Sequence, residues 1–157
     1  MSKATASDAP DSRQPCSPGP DAPDFIGLYR ADAMARIRIV KQGLPAATVG
    51  QLARCMGLPQ RRVKAILGLR VGTGRGVLSM NDSAHVLGLA RLIGQTQQMV
   101  IESGRPEGFN AAVWLAQWLD GPVAAIGGKR PADLLDTDDG RAIVSTVLER
   151  MRAAVYS

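Results

Sequence analysis

Trp118-Leu119-Asp120-Gly121-Pro122, then Ile126-Gly127-Gly128-Lys129-Arg130-Pro131, then Leu134-Leu135-Asp136-Thr137 with Gly140-Arg141, crowds helix breakers and a fresh helix start into one short run of the chain. Gly121 and Pro122 end one helix, Gly127 and Gly128 supply a tight turn, Pro131 stops any helix running through, and Thr137 caps a fresh start. Punctuation this dense fits short helices joined by tight turns, and no single long helix tolerates it. Beyond Thr137 the chain runs amphipathically to its last residue without a polar tail, the pattern of a terminus that docks against something.

The composition agrees with helices. The 157 residues suffice for one ordinary domain or two small ones, and aromatics make up only 4%, so the core rests on Leu, Ile, Val, Ala and Met. Cys16 and Cys55 are the only cysteines and His85 is the single histidine, so neither a structural zinc site nor a cofactor is expected, and a reduced cytoplasmic compartment fits. No apolar signal core opens the chain and no window reaches the length of a membrane span, so export and insertion are not expected. The sequence carries no acid pair, Ser/His set or metal cluster, which argues against an enzyme.

The net charge of +5 is unevenly spread. Residues 1–24 hold 2 basic against 4 acidic side chains, residues 25–105 hold 12 against 3, and residues 106–157 hold 5 against 7. The basic excess belongs to the middle of the chain, which points to a polyanion partner for that part or to a solvated basic surface.

Hydrophobic periodicity divides the chain into residues 1–23, a Pro- and Asp-rich tail expected to be disordered, residues 24–105, and residues 106–157. A helix is expected from Asp24 to Gly43, with Phe25, Leu28, Met34, Ile37 and Val40 on one stripe. Thr48 is expected to cap a short helix through about Met56, and Pro59 to open a second through about Gly68. A glycine loop with Gly72, Gly74 and Gly76 follows. It lacks the Gly-Lys-Ser/Thr ending of a phosphate loop, and Arg75 within it is a candidate phosphate contact. Ser79 and Asp82 form a capping-box pattern before a long helix to about Ser103, with Val86, Leu89, Ala90, Ile93, Val100 and Ile101 on its apolar stripe. Helices over Ala111–Leu119 and from Thr137 to about Ala154 complete an all-α fold.

Thr48–Leu67 has a spacing of its own. Ala53 is small enough for two helices to cross closely, Gly57 four positions on tolerates positive φ, and Val63 six further on is an apolar anchor, with Ile66 one turn later. This resembles the helix-turn-helix of Xre/Cro-type repressors. The resemblance makes the second helix a recognition helix, with Gln60, Arg61 and Lys64 toward base edges and Arg62 and Arg70 toward phosphates. The plain alternative is that these cations solvate an exposed face. His85 is expected to pack rather than act as a base.

The opening stretch also resembles a family. Ile126-Gly127-Gly128-Lys129-Arg130-Pro131, Leu134-Leu135-Asp136-Thr137 and Gly140-Arg141-Ala142-Ile143-Val144 are similar to the Leu-Gly-Gly-x-x-Pro, Leu-Leu-x-Thr and Gly-x-x-x-Val elements of the toxin-binding domain of Xre/MbcA/ParS antitoxins. Gly76-Val77-Leu78-Ser79 and Leu89-Ala90-Arg91-Leu92 resemble the link between that family's two modules. The chain departs from the pattern in having Gly121-Pro122 where an asparagine is frequent, Ile126 for leucine and Ala154 for glycine. The resemblance implies a type II antitoxin that neutralises a RES-domain, NAD-consuming toxin, one that degrades NAD or transfers ADP-ribose from it, by covering its active-site entrance, and that represses its own operon. It implies Met151, Arg152, Val155, Tyr156 and Ser157 as the obstructing segment, Lys129, Arg130 and Arg141 around it, operator DNA as a second partner, and a homodimer within a hetero-oligomeric complex. The rival reading is an Xre-type regulator whose C-terminal module only dimerises or senses a ligand.

Overall fold

The computed structural model describes residues 23–70 and 76–155. Among these residues are seven α-helices and no strand: α1 (Phe25–Arg30), α2 (Ala33–Gln42), α3 (Ala47–Met56), α4 (Gln60–Leu67), α5 (Met80–Glu102), α6 (Ala111–Leu119) and α7 (Asp138–Val155). Two 3-10 helices, Ala124–Ile126 and Pro131–Leu134, join α6 to α7. The fold is all-α, as expected. The tail through residue 22, the glycine loop with Arg75, and Tyr156 and Ser157 lie outside the described residues.

α5 is the axis. The Ser79 hydroxyl accepts a hydrogen bond from the Asp82 amide at 3.1 Å, the expected cap. The 23 residues that follow span roughly 34 Å at helical rise. α1 crosses α5 at Gly94, where any Cβ would sit 2.0 Å from the Phe25 carbonyl oxygen, so only glycine admits the backbone this close. Gln95 of α5 donates to the Ser145 carbonyl of α7 at 3.0 Å and accepts from the Ser145 hydroxyl at 2.9 Å, satisfying both buried polar groups.

Two helix starts differ from the sequence reading. The single helix expected over 24–42 is broken at Ala31–Asp32, because the Asp32 carboxylate accepts from the Ala35 amide at 2.8 Å and begins α2 anew. The break resets the helical phase, so Met34 and Ile37 are 62% and 45% exposed rather than part of a stripe with Phe25. Thr48 is not a cap: α3 begins one residue earlier, and Thr48 lies buried in its first turn. Ile101, expected on the apolar stripe of α5, is 43% exposed near the helix end.

The core is one cluster. Leu52 and Met56 of α3, Val63 and Leu67 of α4, and Leu89 and Ile93 of α5 pack in the same cluster as Leu115 and Leu119 of α6, Leu135, and Leu148 of α7. Residues on both sides of position 105 contribute to this cluster, so the two halves bury their apolar faces against each other.

The opening stretch is built as its punctuation predicts. Gly127 and Gly128 both adopt positive φ, at 71° and 76°, and the Val123 amide donates to the Lys129 carbonyl at 3.0 Å across the turn. The Thr137 hydroxyl accepts from the Gly140 amide at 3.0 Å and caps α7. A Cβ on Gly140 would lie 1.7 Å from the Leu134 carbonyl oxygen, so the 3-10 turn folds back onto the start of α7 only over glycine.

Candidate partner-binding surfaces

Three regions hold the side chains that the sequence singles out. The first is the pair α3 and α4. Gly57 at φ 68° ends α3, and its amide and that of Leu58 cap the Arg54 and Ala53 carbonyls. Ala53 is buried, and Gly50 one turn earlier also approaches α4 closely, since its Cβ would lie 2.8 Å from the Gln60 side-chain nitrogen. Gln60 thus lays its amide against α3. Gln60, Arg61 and Arg70 are exposed and Lys64 is half-buried. Arg62 is held across the molecule by Asp120 at the end of α6, at 2.5 Å. His85 reaches from α5 and bonds the last carbonyl of α4, Leu67, through Nδ1 at 2.7 Å, a packing role as expected.

The second region is the far end of α7. Met151, Arg152 and Val155 border an apolar groove of about 390 Å³, shared with Val100 of α5 and with Phe109 and Trp114 at the start of α6. Val155 is 71% exposed. Trp114 stacks on Trp118 at 6.0 Å with an interplanar angle of 12°, and Phe109 tilts against Trp114 at 6.2 Å. Arg152 pairs with Glu102 at 3.4 Å and Glu149 at 3.5 Å, tying the end of α7 to the end of α5. Sequence reasoning does not place Phe109 and Trp114 on this surface. The signal for them is that three of the six aromatic residues fall within residues 109–118, with the two tryptophans one helical turn apart.

The third region is the Gly-Gly turn and the start of α7. Lys129 is exposed, and Arg130 pairs with Asp133 at 3.0 Å. Arg141 is not at an outer surface: it is 7% exposed, donates to the Leu135 carbonyl at 2.9 Å and pairs with Asp138. Its aliphatic stem crosses Gly88 of α5, where a Cβ would stand 2.5 Å from Arg141 Cδ. Arg141 therefore fastens α7 to α5. Lys129 and Arg130 precede the turn that packs on the start of α7, whereas Met151 and Val155 lie at its other end, roughly 25 Å away along the helix. The candidate partner residues do not form one patch.

No helix among the described residues is long and apolar enough to cross a membrane, and no cluster of three His, Cys, Asp or Glu side chains among them is arranged to hold a metal ion. α3 and α4 carry exposed cations, and the end of α7 borders an apolar, aromatic-lined groove. Comparison with known proteins gives the class. Residues 108–153 match the family model of the antitoxin Xre/MbcA/ParS C-terminal toxin-binding domain. The chain is also 37% identical over 147 residues to a Prs ADP-ribosylating antitoxin of Sphingobium sp. (strain YBL2), an alignment covering 88% of this chain and 92% of that protein. The chain belongs to the Xre/MbcA/ParS antitoxin family; it is an antitoxin of a toxin–antitoxin system, not an enzyme, and its partner is a toxin.

Proposed function

We propose that this antitoxin neutralises a RES-domain toxin that consumes NAD by ADP-ribosyl transfer, and that the end of α7 covers the toxin's active-site entrance. The observation that carries the reading is the match of residues 108–153 to the toxin-binding domain, a span that contains Phe109, Trp114 and Met151 of the apolar groove. ADP-ribosyl transfer comes from the name of the Sphingobium relative. Met151, Arg152 and Val155, with Tyr156 and Ser157 beyond the described residues, form the obstructing segment; Lys129 and Arg130 make a separate, rim contact. Arg141 acts through the packing of α7.

The same chain represses its operon as a homodimer in the cytoplasm, with α3 and α4 as the helix-turn-helix. Arg61 and Lys64 read base edges, Arg70 meets phosphate, and Gln60 packs against Gly50 while bordering the same face. Arg62 reaches DNA only by leaving Asp120. Co-purification of the chain with the product of the neighbouring gene, followed by an assay of that product for NAD consumption, tests the reading. A stable complex whose toxin, once released, consumes NAD supports it. A neighbouring product that binds but leaves NAD untouched removes the NAD-consuming assignment, and no complex at all means that the neighbouring product is not the toxin this chain neutralises.

A further inference from the structure

α2, α5 and α7 meet around a half-open cleft of about 470 Å³, and each contributes one arginine: Arg36, Arg91 and Arg141. Arg62 is neutralised by Asp120 and Arg130 by Asp133, each beside a carboxylate of its own. Here the only lining carboxylate is Asp138, whose side chain is 87% exposed and engaged by Arg141. Among the described residues neither Arg36 nor Arg91 has an ion-pair partner. Arg91 Nε is fully shielded from solvent and has no hydrogen-bond partner. A buried donor left unmade costs free energy, and two like charges brought together add to that cost. Burial, and after it the nearby Arg36, push the Arg91 guanidinium below the usual arginine range.

Gln95 and Ser145 bond each other, and Arg141 donates to Leu135 as well as to Asp138. The charge left without a carboxylate is therefore cationic and lies on Arg36 and Arg91. Three guanidinium groups against one carboxylate leave two positive charges, the complement of a phosphate dianion rather than of a single carboxylate. The cleft is larger than an inorganic phosphate, with Tyr29 on one wall to accommodate the remainder of a small phosphate ester.

We propose that this cleft is an oxyanion site that takes a phosphate group, free or as the ester of a small molecule, between Arg36 and Arg91. Because its walls come from α2, α5 and α7, a bound phosphate clamps the first helices of the chain to the helix that carries the toxin-binding end.

Calorimetric titration of the full chain with inorganic phosphate and, separately, with ribose 5-phosphate, at constant ionic strength set by sodium chloride, tests it. One saturable site per chain is expected, with affinity at least tenfold weaker in Arg36→Gln and in Arg91→Gln and unchanged in Arg105→Gln, at an exposed position outside the cleft. Tighter binding of the ester identifies it as the source, and equal binding identifies the free anion. Arg36 lies on the short, peripheral α2, so Arg36→Gln keeps the test intact should Arg91→Gln fail to fold, as judged by circular dichroism. Absence of saturable heat with either probe overturns the proposal, as does equal binding by Arg36→Gln. A chain that ignores both probes while Arg36→Gln weakens its toxin complex overturns it in favour of an acidic side chain of the partner.

Discussion

Arg62 of α4 and Asp120 at the end of α6 form an ion pair at 2.5 Å, between a helix proposed to face DNA and the Trp118-Leu119-Asp120-Gly121 stretch of the toxin-binding domain. Both side chains are more than a third exposed, so the pair contributes little to stability. Its consequence is for charge: Asp120 competes with phosphate for the same guanidinium. Asp120→Asn is expected to leave folding stability within about 1 kcal/mol and to steepen the salt dependence of DNA binding by about one counterion. Fluorescence anisotropy across a salt series checks it, and an unchanged slope means that Arg62 never meets the duplex.

Arg61 and Lys64 carry the base-edge assignment. The double substitution Arg61→Ala, Lys64→Ala is expected to weaken operator binding by roughly tenfold or more at fixed salt, since each good base contact is worth about 1–3 kcal/mol. Unchanged operator affinity removes α4 from the groove.

Two glycines separate backbone strain from steric exclusion. Gly57 has positive φ, and nothing lies within 4 Å of the point a Cβ would occupy, so Gly57→Ala is expected to cost about 1–2 kcal/mol from the left-handed conformation alone. Gly140 is not strained, but its Cβ would overlap the Leu134 carbonyl, and Gly140→Ala is expected to cost about 1–3 kcal/mol as overpacking while displacing the 3-10 turn from α7. Urea unfolding compares them. A neutral Gly140→Ala would mean that the turn does not pack on α7 as described.

The shared core predicts shared cooperativity. Leu52→Ala in α3 and Leu148→Ala in α7, both fully buried, are each expected to lower stability by about 2–5 kcal/mol and to shift a single unfolding transition. Two separate transitions, one for each substitution, would contradict a common core.

Much of this architecture is legible in the chain because its punctuation is local. Ser79, Thr137, Gly57 and the Gly127-Gly128 pair act through their own backbone or the next turn, so their roles follow from residue type and spacing. The Asp32 cap is equally local, yet the apolar residues on either side of it mimic one continuous stripe. What spacing does not encode is tertiary: that Gly50 lies against the Gln60 side chain, that Arg141 turns inward across Gly88, and that Asp120 claims Arg62. Each depends on which face of a distant helix arrives. The same holds for the groove, whose walls come from Val100, Phe109, Trp114 and Val155 on three separate segments.

Neutralisation of the toxin by the end of α7 would be read out in the cellular NAD level. Cells expressing the partner toxin would carry the full chain, a chain ending at Met151, or the full chain with Val155→Asp, a substitution at a position exposed enough to leave folding intact. NAD is expected to hold steady with the full chain, to collapse with the truncated one, and to fall with Val155→Asp. NAD that stays steady with the chain ending at Met151 would contradict occlusion by the end of α7.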